Sequence, residues 1–83
     1  MLEHHPLVKE FPQYRETIHR LKVGDPEFRT LFDEYHELDR RIYRIDQETE
    51  AVDDARAAQL KRRRMFLKDL LYERIQQAAA SSP

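Results

Sequence analysis

The stretch LFDEYHELDRRIYRI, residues 31–45, carries apolar side chains at intervals of four and three residues without a gap. Such intervals place side chains on one face of an α-helix, because a helix completes a turn every 3.6 residues. We therefore predict a long amphipathic helix that buries this face against another element. The stripe comprises Phe28, Leu31, Tyr35, Leu38, Ile42 and Ile45.

A second apolar stripe follows further along the chain, after a polar segment with the sequence ETEAVDDAR. No Pro or Gly lies between residues 27 and 82, so this segment is the candidate turn, with Asp53 or Asp54 capping the next helix. We predict helices over residues 26–50 and 54–78 that form an antiparallel hairpin, and a frayed tail over residues 79–83. The second stripe comprises Leu60, Leu67, Leu70, Leu71 and Ile75.

The two stripes fit each other in one register, in which residue i faces residue 105−i. Three apolar side chains of the first helix then lie opposite apolar side chains of the second. The charges agree, because residues 25–54 carry a net charge of −7 and residues 55–83 a net charge of +5. The predicted pairs are Ile45 with Leu60, Leu38 with Leu67 and Tyr35 with Leu70, with Phe28 and Leu31 on either side of Ile75.

The sequence GDPEF marks a helix boundary before the hairpin. We expect Gly24 to end one helix in the left-handed conformation and Asp25 to cap the next, with Pro26 at its first position. A shorter helical segment over residues 6–22 precedes this boundary. Pro12 interrupts it, which predicts a short turn near residues 6–10 and a helix from about residue 12.

The fold class that follows is all-α: one domain with a long antiparallel, coiled-coil-like helical hairpin and a shorter N-terminal helical segment. At 83 residues, two helices alone bury barely enough apolar surface to offset the entropy of ordering the chain. Either the N-terminal segment or a second copy of the chain is therefore expected to cover more of the hairpin.

The composition excludes several classes of protein. The chain has no cysteine, so disulfides, thiolate metal sites and cysteine nucleophiles are absent. No apolar run reaches the 18 residues of a membrane span, and the N-terminus lacks the pattern of a secretory signal. A single Gly cannot supply a phosphate-binding loop. We expect a cytoplasmic protein that binds no cofactor, membrane or small-molecule substrate.

Two long stretches carry a resemblance to a known family: FPQYRETIHRLKVGDPEFRTLFDEYHELDRRIYRI and LKRRRMFLKDLLYERI. Together they resemble the small bacterial YdcH-like proteins, and the resemblance covers roughly residues 7–76. Met65 stands where this family leads us to expect Leu, an exchange that costs little. The resemblance implies a helical hairpin from a Gram-negative bacterium and implies no activity, because the family has no established function.

One candidate site is a belt of basic residues around the middle of the hairpin. In the predicted register the run KRRR faces the three arginines of the preceding helix, where the belt could contact phosphates while Tyr43 and Phe66 stack on bases. The alternative is a solvated run whose arginines pair with Asp39, Asp46 or Glu37. The belt comprises Arg40, Arg41, Arg44, Lys61, Arg62, Arg63 and Arg64.

A second candidate is an aromatic flank beside the seam, suited to a protein partner. Asp39 shares this flank, and Met65 also lies off the seam. Either the N-terminal segment folds back on the flank, or another chain, including a second copy, covers it. The candidate partner face comprises Phe32, His36, Tyr43, Phe66 and Tyr72.

Metal binding and catalysis have weaker support. His4 and His5 are adjacent and His19 and His36 are isolated, so no two lie at the i, i+4 spacing that brings imidazoles together on a helix. Hydroxyl nucleophiles are restricted to three threonines and to Ser81 and Ser82, and a slim hairpin offers little concavity. We therefore predict a small non-enzymatic protein that self-associates or docks to a protein partner, with nucleic-acid binding as the alternative.

Overall fold

A computed structural model describes residues 6–81 of the chain. Within these residues the structure contains helices and no strand, which confirms the all-α prediction. The elements in chain order are α1 (Leu7–Glu10), a 3-10 turn (Pro12–Tyr14), α2 (Arg15–Gly24), α3 (Pro26–Asp46) and α4 (Asp54–Ser81).

Helices α3 and α4 form the predicted antiparallel hairpin. Glu27 at the start of α3 pairs with Arg74 near the end of α4. At the opposite end, Lys61 Nζ lies 3.4 Å from Asp46 Oδ1. One core joins the hairpin to the N-terminal segment, because buried side chains come from all of them: Leu7, Ile18, Phe28, Tyr35, Leu67, Leu71 and Ile75.

The boundary before α3 forms as predicted except at its glycine. Asp25 Oδ1 accepts hydrogen bonds from the backbone N–H groups of Glu27 and Phe28, each at 3.1 Å, and Pro26 is the first residue of α3. The left-handed conformation predicted for Gly24 is wrong. Gly24 is the last residue of α2 and its φ is not positive, because the Asp25 N–H closes the helix on the Leu21 carbonyl.

Helix α3 ends at Asp46, before the predicted residue 50. Glu48 turns the chain with a φ of 62°, and both the N–H and the hydroxyl of Thr49 donate to the Arg44 carbonyl. Of the two candidate caps, Asp53 accepts the Arg56 N–H at 2.7 Å. Helix α4 then continues to Ser81, beyond the predicted end at residue 78.

The N-terminal segment packs on one side of the hairpin. Pro12 interrupts the helical path as expected, with the short helix α1 before it and a 3-10 turn leading into α2. Leu7 and Ile18 are fully buried against the hairpin, which gives the chain the additional apolar contact that two helices alone lack. None of the helices within residues 6–81 combines the length and apolar character needed to cross a membrane.

Candidate functional site

His36, one residue of the candidate partner face, fastens the N-terminal segment to α3. Its Nε2 lies 3.0 Å from the Leu7 backbone nitrogen, and its Nδ1 lies 2.9 Å from the Phe32 carbonyl oxygen. Because a backbone N–H only donates, Nε2 must accept, and the ring proton therefore lies on Nδ1 and donates to Phe32. Burial lowers the pKa of His36 below its usual value, which favours this neutral form.

Phe32 and Tyr72 are also covered by the N-terminal segment of the same chain. The Phe32 ring lies between the His36 ring, with centroids 4.2 Å apart, and the Lys22 ammonium at 4.6 Å. Tyr72 stacks on Phe11 with ring centroids 4.6 Å apart. For these residues and His36, the structure therefore shows the intramolecular packing that the sequence left as one of two alternatives.

Near the turn between α3 and α4, bases of the basic belt form ion pairs with acids of the same chain. Glu50 accepts from Arg41 Nε at 2.7 Å and lies 3.5 Å from Arg44 Nε, and these contacts lower the pKa of the Glu50 carboxyl. Lys61 pairs with Asp46, as described above. These three bases therefore lie in acidic surroundings that stabilise the turn and reduce their attraction for phosphate.

The belt residues Arg63 and Arg64 are paired across the hairpin. Arg63 Nη2 contacts both oxygens of Glu34, at 3.0 and 3.1 Å. Arg64 Nη1 lies 3.0 Å from Asp39 Oδ1, and the Asp39 side chain is only 3% exposed. Arg64 is therefore the counter-ion of a buried carboxylate, a structural role that the sequence gave as the alternative to phosphate contact.

An open cavity of about 420 Å³ lies beside Arg64 of this pair and is bordered by Glu10 of the N-terminal segment. Tyr35 lines it, and burial together with the nearby Asp39 and Glu10 raises the pKa of the Tyr35 hydroxyl. The Lys68 ammonium at its edge pairs with Glu10 at 2.6 Å. The cavity therefore places a neutral phenol beside paired charges.

Large apolar side chains remain exposed on the outside of α4. Met65 is 66% exposed and Phe66 is 55% exposed, and the Arg63 guanidinium lies 5.4 Å from the Phe66 ring centroid. Val23, at the end of α2, is exposed as well, at 77%. Tyr43, the remaining residue of the candidate partner face, is partly buried.

Met65 and Phe66 lie within a wider surface that we call the outer α4 face. At 100° per residue, its members lie on the side of α4 opposite the buried Leu60, Leu67 and Leu71. All of them are exposed, and the side chains of the three charged members make no hydrogen bond or ion pair with any residue in 6–81. The outer α4 face comprises Arg62, Met65, Phe66, Asp69 and Glu73.

The sequence interpretation did not select Asp69 or Glu73. The signal for them was their spacing from Arg62 and from the apolar pair, at steps of three and four residues along one helix face. In the basic belt, Arg40 resembles Arg62, because its side chain also makes no hydrogen bond or ion pair with a residue in 6–81.

The histidines and serines do not converge on a reactive centre within the described chain. Across residues 6–81, no group of three or more His, Cys, Asp or Glu side chains is arranged to hold a metal ion. His19 is exposed on α2, and the Ser81 hydroxyl donates to the Gln77 carbonyl. His4, His5 and Ser82, which the sequence also raised, lie outside the described residues, as do the last two positions of the predicted tail.

Comparison with known proteins identifies relatives without a known activity. Residues 28–75 match the protein family described as "Protein of unknown function (DUF465)". The chain is 36% identical over 67 residues to the "Uncharacterized protein YdcH" of Escherichia coli strain K12 and to that of Shigella flexneri. Each alignment covers 81% of this chain and 90% of the relative. No solved structure matches the chain.

Proposed function

The chain belongs to the DUF465 family, whose description assigns no function, and from its own surface we propose that it is a small cytoplasmic interaction protein without catalytic activity. Its contact with another protein chain is made through the outer α4 face. This is the partner-docking function expected from the sequence, and Phe66 is the one residue of the candidate partner face that also belongs to the outer α4 face.

The observation that carries the proposal is the exposure of Met65 and Phe66 on a helix whose inner side is already packed. Two adjacent large apolar side chains on an outer helix face gain from burial by another protein, by roughly 1.5–3 kcal/mol for each one fully covered. Methionine and phenylalanine are also enriched in the buried centres of protein interfaces.

The surroundings of this apolar pair also support a protein partner. Phe32, His36 and Tyr72 of the aromatic flank pack against the N-terminal segment, whereas no element within residues 6–81 covers the outer α4 face. Exposed charges on both sides of the pair form the polar rim that a specific interface requires.

Nucleic-acid binding through the basic belt has less support. Five of its seven bases lie in ion pairs with acids of the same chain, and Arg40 and Arg62 remain. The net charge of the chain is −1, so its overall field does not attract a polyanion.

Photo-crosslinking in the cells that make the protein tests this function. The photoreactive analogue benzoylphenylalanine replaces Phe66 in one variant and the more exposed Val23 in a control. We expect discrete protein adducts from position 66 that persist after nuclease treatment and at high salt, and none from position 23. Adducts no more abundant at position 66 than at position 23 would reject a protein contact at the outer α4 face.

A further inference from the structure

We propose that the partner at the outer α4 face is a second copy of this chain, bound antiparallel through the same face. This inference rests on the function proposed above and names its partner. The two-fold axis passes between Met65 and Phe66, so that Met65 of each copy contacts Phe66 of the partner subunit. An interface of this kind uses one patch twice and closes as a dimer.

The charges of the outer α4 face favour a second copy of this chain as the partner. Arg62 precedes the apolar pair and Asp69 follows it, each three residues from the nearer apolar side chain. Both are exposed, and neither has an ion-pair partner within residues 6–81. An antiparallel copy brings Arg62 opposite Asp69 of the partner subunit, and the symmetry forms this pair twice.

The same charges favour an antiparallel over a parallel arrangement of the two α4 helices. In a parallel pair with matched ends, Arg62 would face Arg62 of the partner subunit and Asp69 would face Asp69 of the partner subunit, and like charges in an interface repel. In the antiparallel pair both repulsions become attractions. Charge complementarity of this kind sets orientation and specificity more strongly than it sets affinity.

Side chains towards the two ends of α4 allow the helices to approach. The antiparallel register brings the exposed Ala55 opposite Gln76 of the partner subunit and Ala58 opposite Glu73 of the partner subunit. Small side chains on one helix therefore leave room for the longer ones on the other. The large apolar groups meet at the centre, where contact energy in protein interfaces is concentrated.

The N-terminal segment does not obstruct this arrangement. Outside the shared buried core, it contacts α4 at Lys68 and Tyr72, by way of Glu10 and Phe11. By helical geometry these two α4 residues lie between the buried stripe and the outer α4 face. The N-terminal segment therefore leaves the outer α4 face accessible in the folded chain.

Charge reversal tests the proposal by sedimentation of the full chain at low salt. Arg62→Asp alone and Asp69→Arg alone each place like charges together twice, and each is expected to weaken self-association by about tenfold or more. Mixing the two variants restores attraction at both contacts and is expected to yield a heterodimer. Arg62→Asp combined with Asp69→Arg in one chain is expected to restore the homodimer.

Controls separate folding from association. Circular dichroism of each charge variant is expected to show the helical content of the original chain, because the two side chains have no partners within residues 6–81. Phe66→Ser is expected to abolish the dimer, and Val23→Ser, a similar change at another exposed apolar position, is expected to leave it unchanged.

Two outcomes would overturn the proposal. In the first, the original chain is monomeric at every attainable concentration. In the second, the mixture of charge variants associates no better than either alone.

The cross-linking experiment in cells separates the two inferences. If the chain does not dimerise but position 66 still forms adducts whose mass differs from that of a dimer of this chain, the protein-docking function stands without the dimer. If position 66 forms no adducts above the control, both inferences fail.

Discussion

Two arginines of the run KRRR, Arg62 and Arg64, are identical in type and two positions apart, yet the structure gives them different roles. Arg64 pairs at 3.0 Å with Asp39, whose side chain is 3% exposed, whereas Arg62 is exposed and has no ion-pair partner within residues 6–81. Replacing each arginine with methionine keeps a long side chain and removes the charge. We therefore expect the two substitutions to have very different effects on the free energy of unfolding.

The magnitude follows from burial. Removing one partner of a buried ion pair typically costs about 3–5 kcal/mol, because it leaves an uncompensated buried charge. The Arg64 side chain is 26% exposed, so water reaches the pair and about 3 kcal/mol is expected for Arg64→Met. Arg62→Met is expected to stay within about 0.5 kcal/mol. Since a domain of this size is stabilised by roughly 4–12 kcal/mol, the first loss is large.

Urea unfolding followed by helical circular dichroism measures both values. The protein concentration is kept low enough for sedimentation to show monomers, so that loss of the dimer does not contribute. The double variant Arg64→Met with Asp39→Leu removes both charges and is expected to recover most of the stability. Equal effects of Arg64→Met and Arg62→Met would refute the reasoning, as would a double variant no more stable than Arg64→Met alone.

Three further predictions concern the N-terminal segment. Because burial lowers the pKa of His36, the unfolded chain binds its proton at a higher pH than the folded chain does. The stability that this group contributes is therefore complete above pH of about 6.5 and falls below it, by at most about 1.4 kcal/mol per pH unit. Urea titrations should show this slope in the original chain and in His19→Gln but not in His36→Gln, and an equal slope in His36→Gln would contradict the assignment. Gly24→Ala should raise the free energy of unfolding by about 0.4–1 kcal/mol, because Gly24 is helical and an added Cβ would meet nothing within 4 Å; a loss of stability would show instead that Gly24 adopts a positive φ. Phe11→Ala removes a partly buried ring and its stack on Tyr72 and should cost about 2 kcal/mol, with faster amide hydrogen exchange in α1 and α2 than in the hairpin. Uniform acceleration across all the helices would mean that the segment and the hairpin open together.

The helical hairpin could be predicted from the sequence because its signals are local and repeated. Apolar residues at steps of three and four define α3, a second apolar stripe marks α4, and Asp25 followed by Pro26 marks the start of α3 with an ordinary cap. The end of α3 could not be placed in the same way. Glu48 turns the chain with a positive φ, which glutamate rarely adopts. Because no glycine occupies this position, the sequence carries no signal for the turn.

Contacts distant in sequence explain why the candidate sites were only partly predicted. The hydrogen bond from the Leu7 N–H to His36 joins residues 29 positions apart, and no spacing rule distinguishes this histidine from an exposed one. The basic run had the same limitation, because the partners of Arg63 and Arg64 lie on another helix. Helical spacing did show that Met65 and Phe66 lie off the seam, but only the packed structure separates them from the covered Tyr72.

Cross-linking between single introduced cysteines tests the antiparallel contact through the outer α4 face most directly. The chain contains no cysteine, so Ala55→Cys and Gln76→Cys each introduce one unambiguous thiol. In the proposed dimer position 55 lies opposite position 76 of the partner copy, whereas the two copies of either position lie about 30 Å apart. With a short bismaleimide, an equimolar mixture of the two variants is expected to form covalently cross-linked dimers, and each variant alone is expected to form no cross-link, although it still dimerises. Efficient cross-linking of either variant with itself, or no cross-linking in the mixture, would contradict the arrangement.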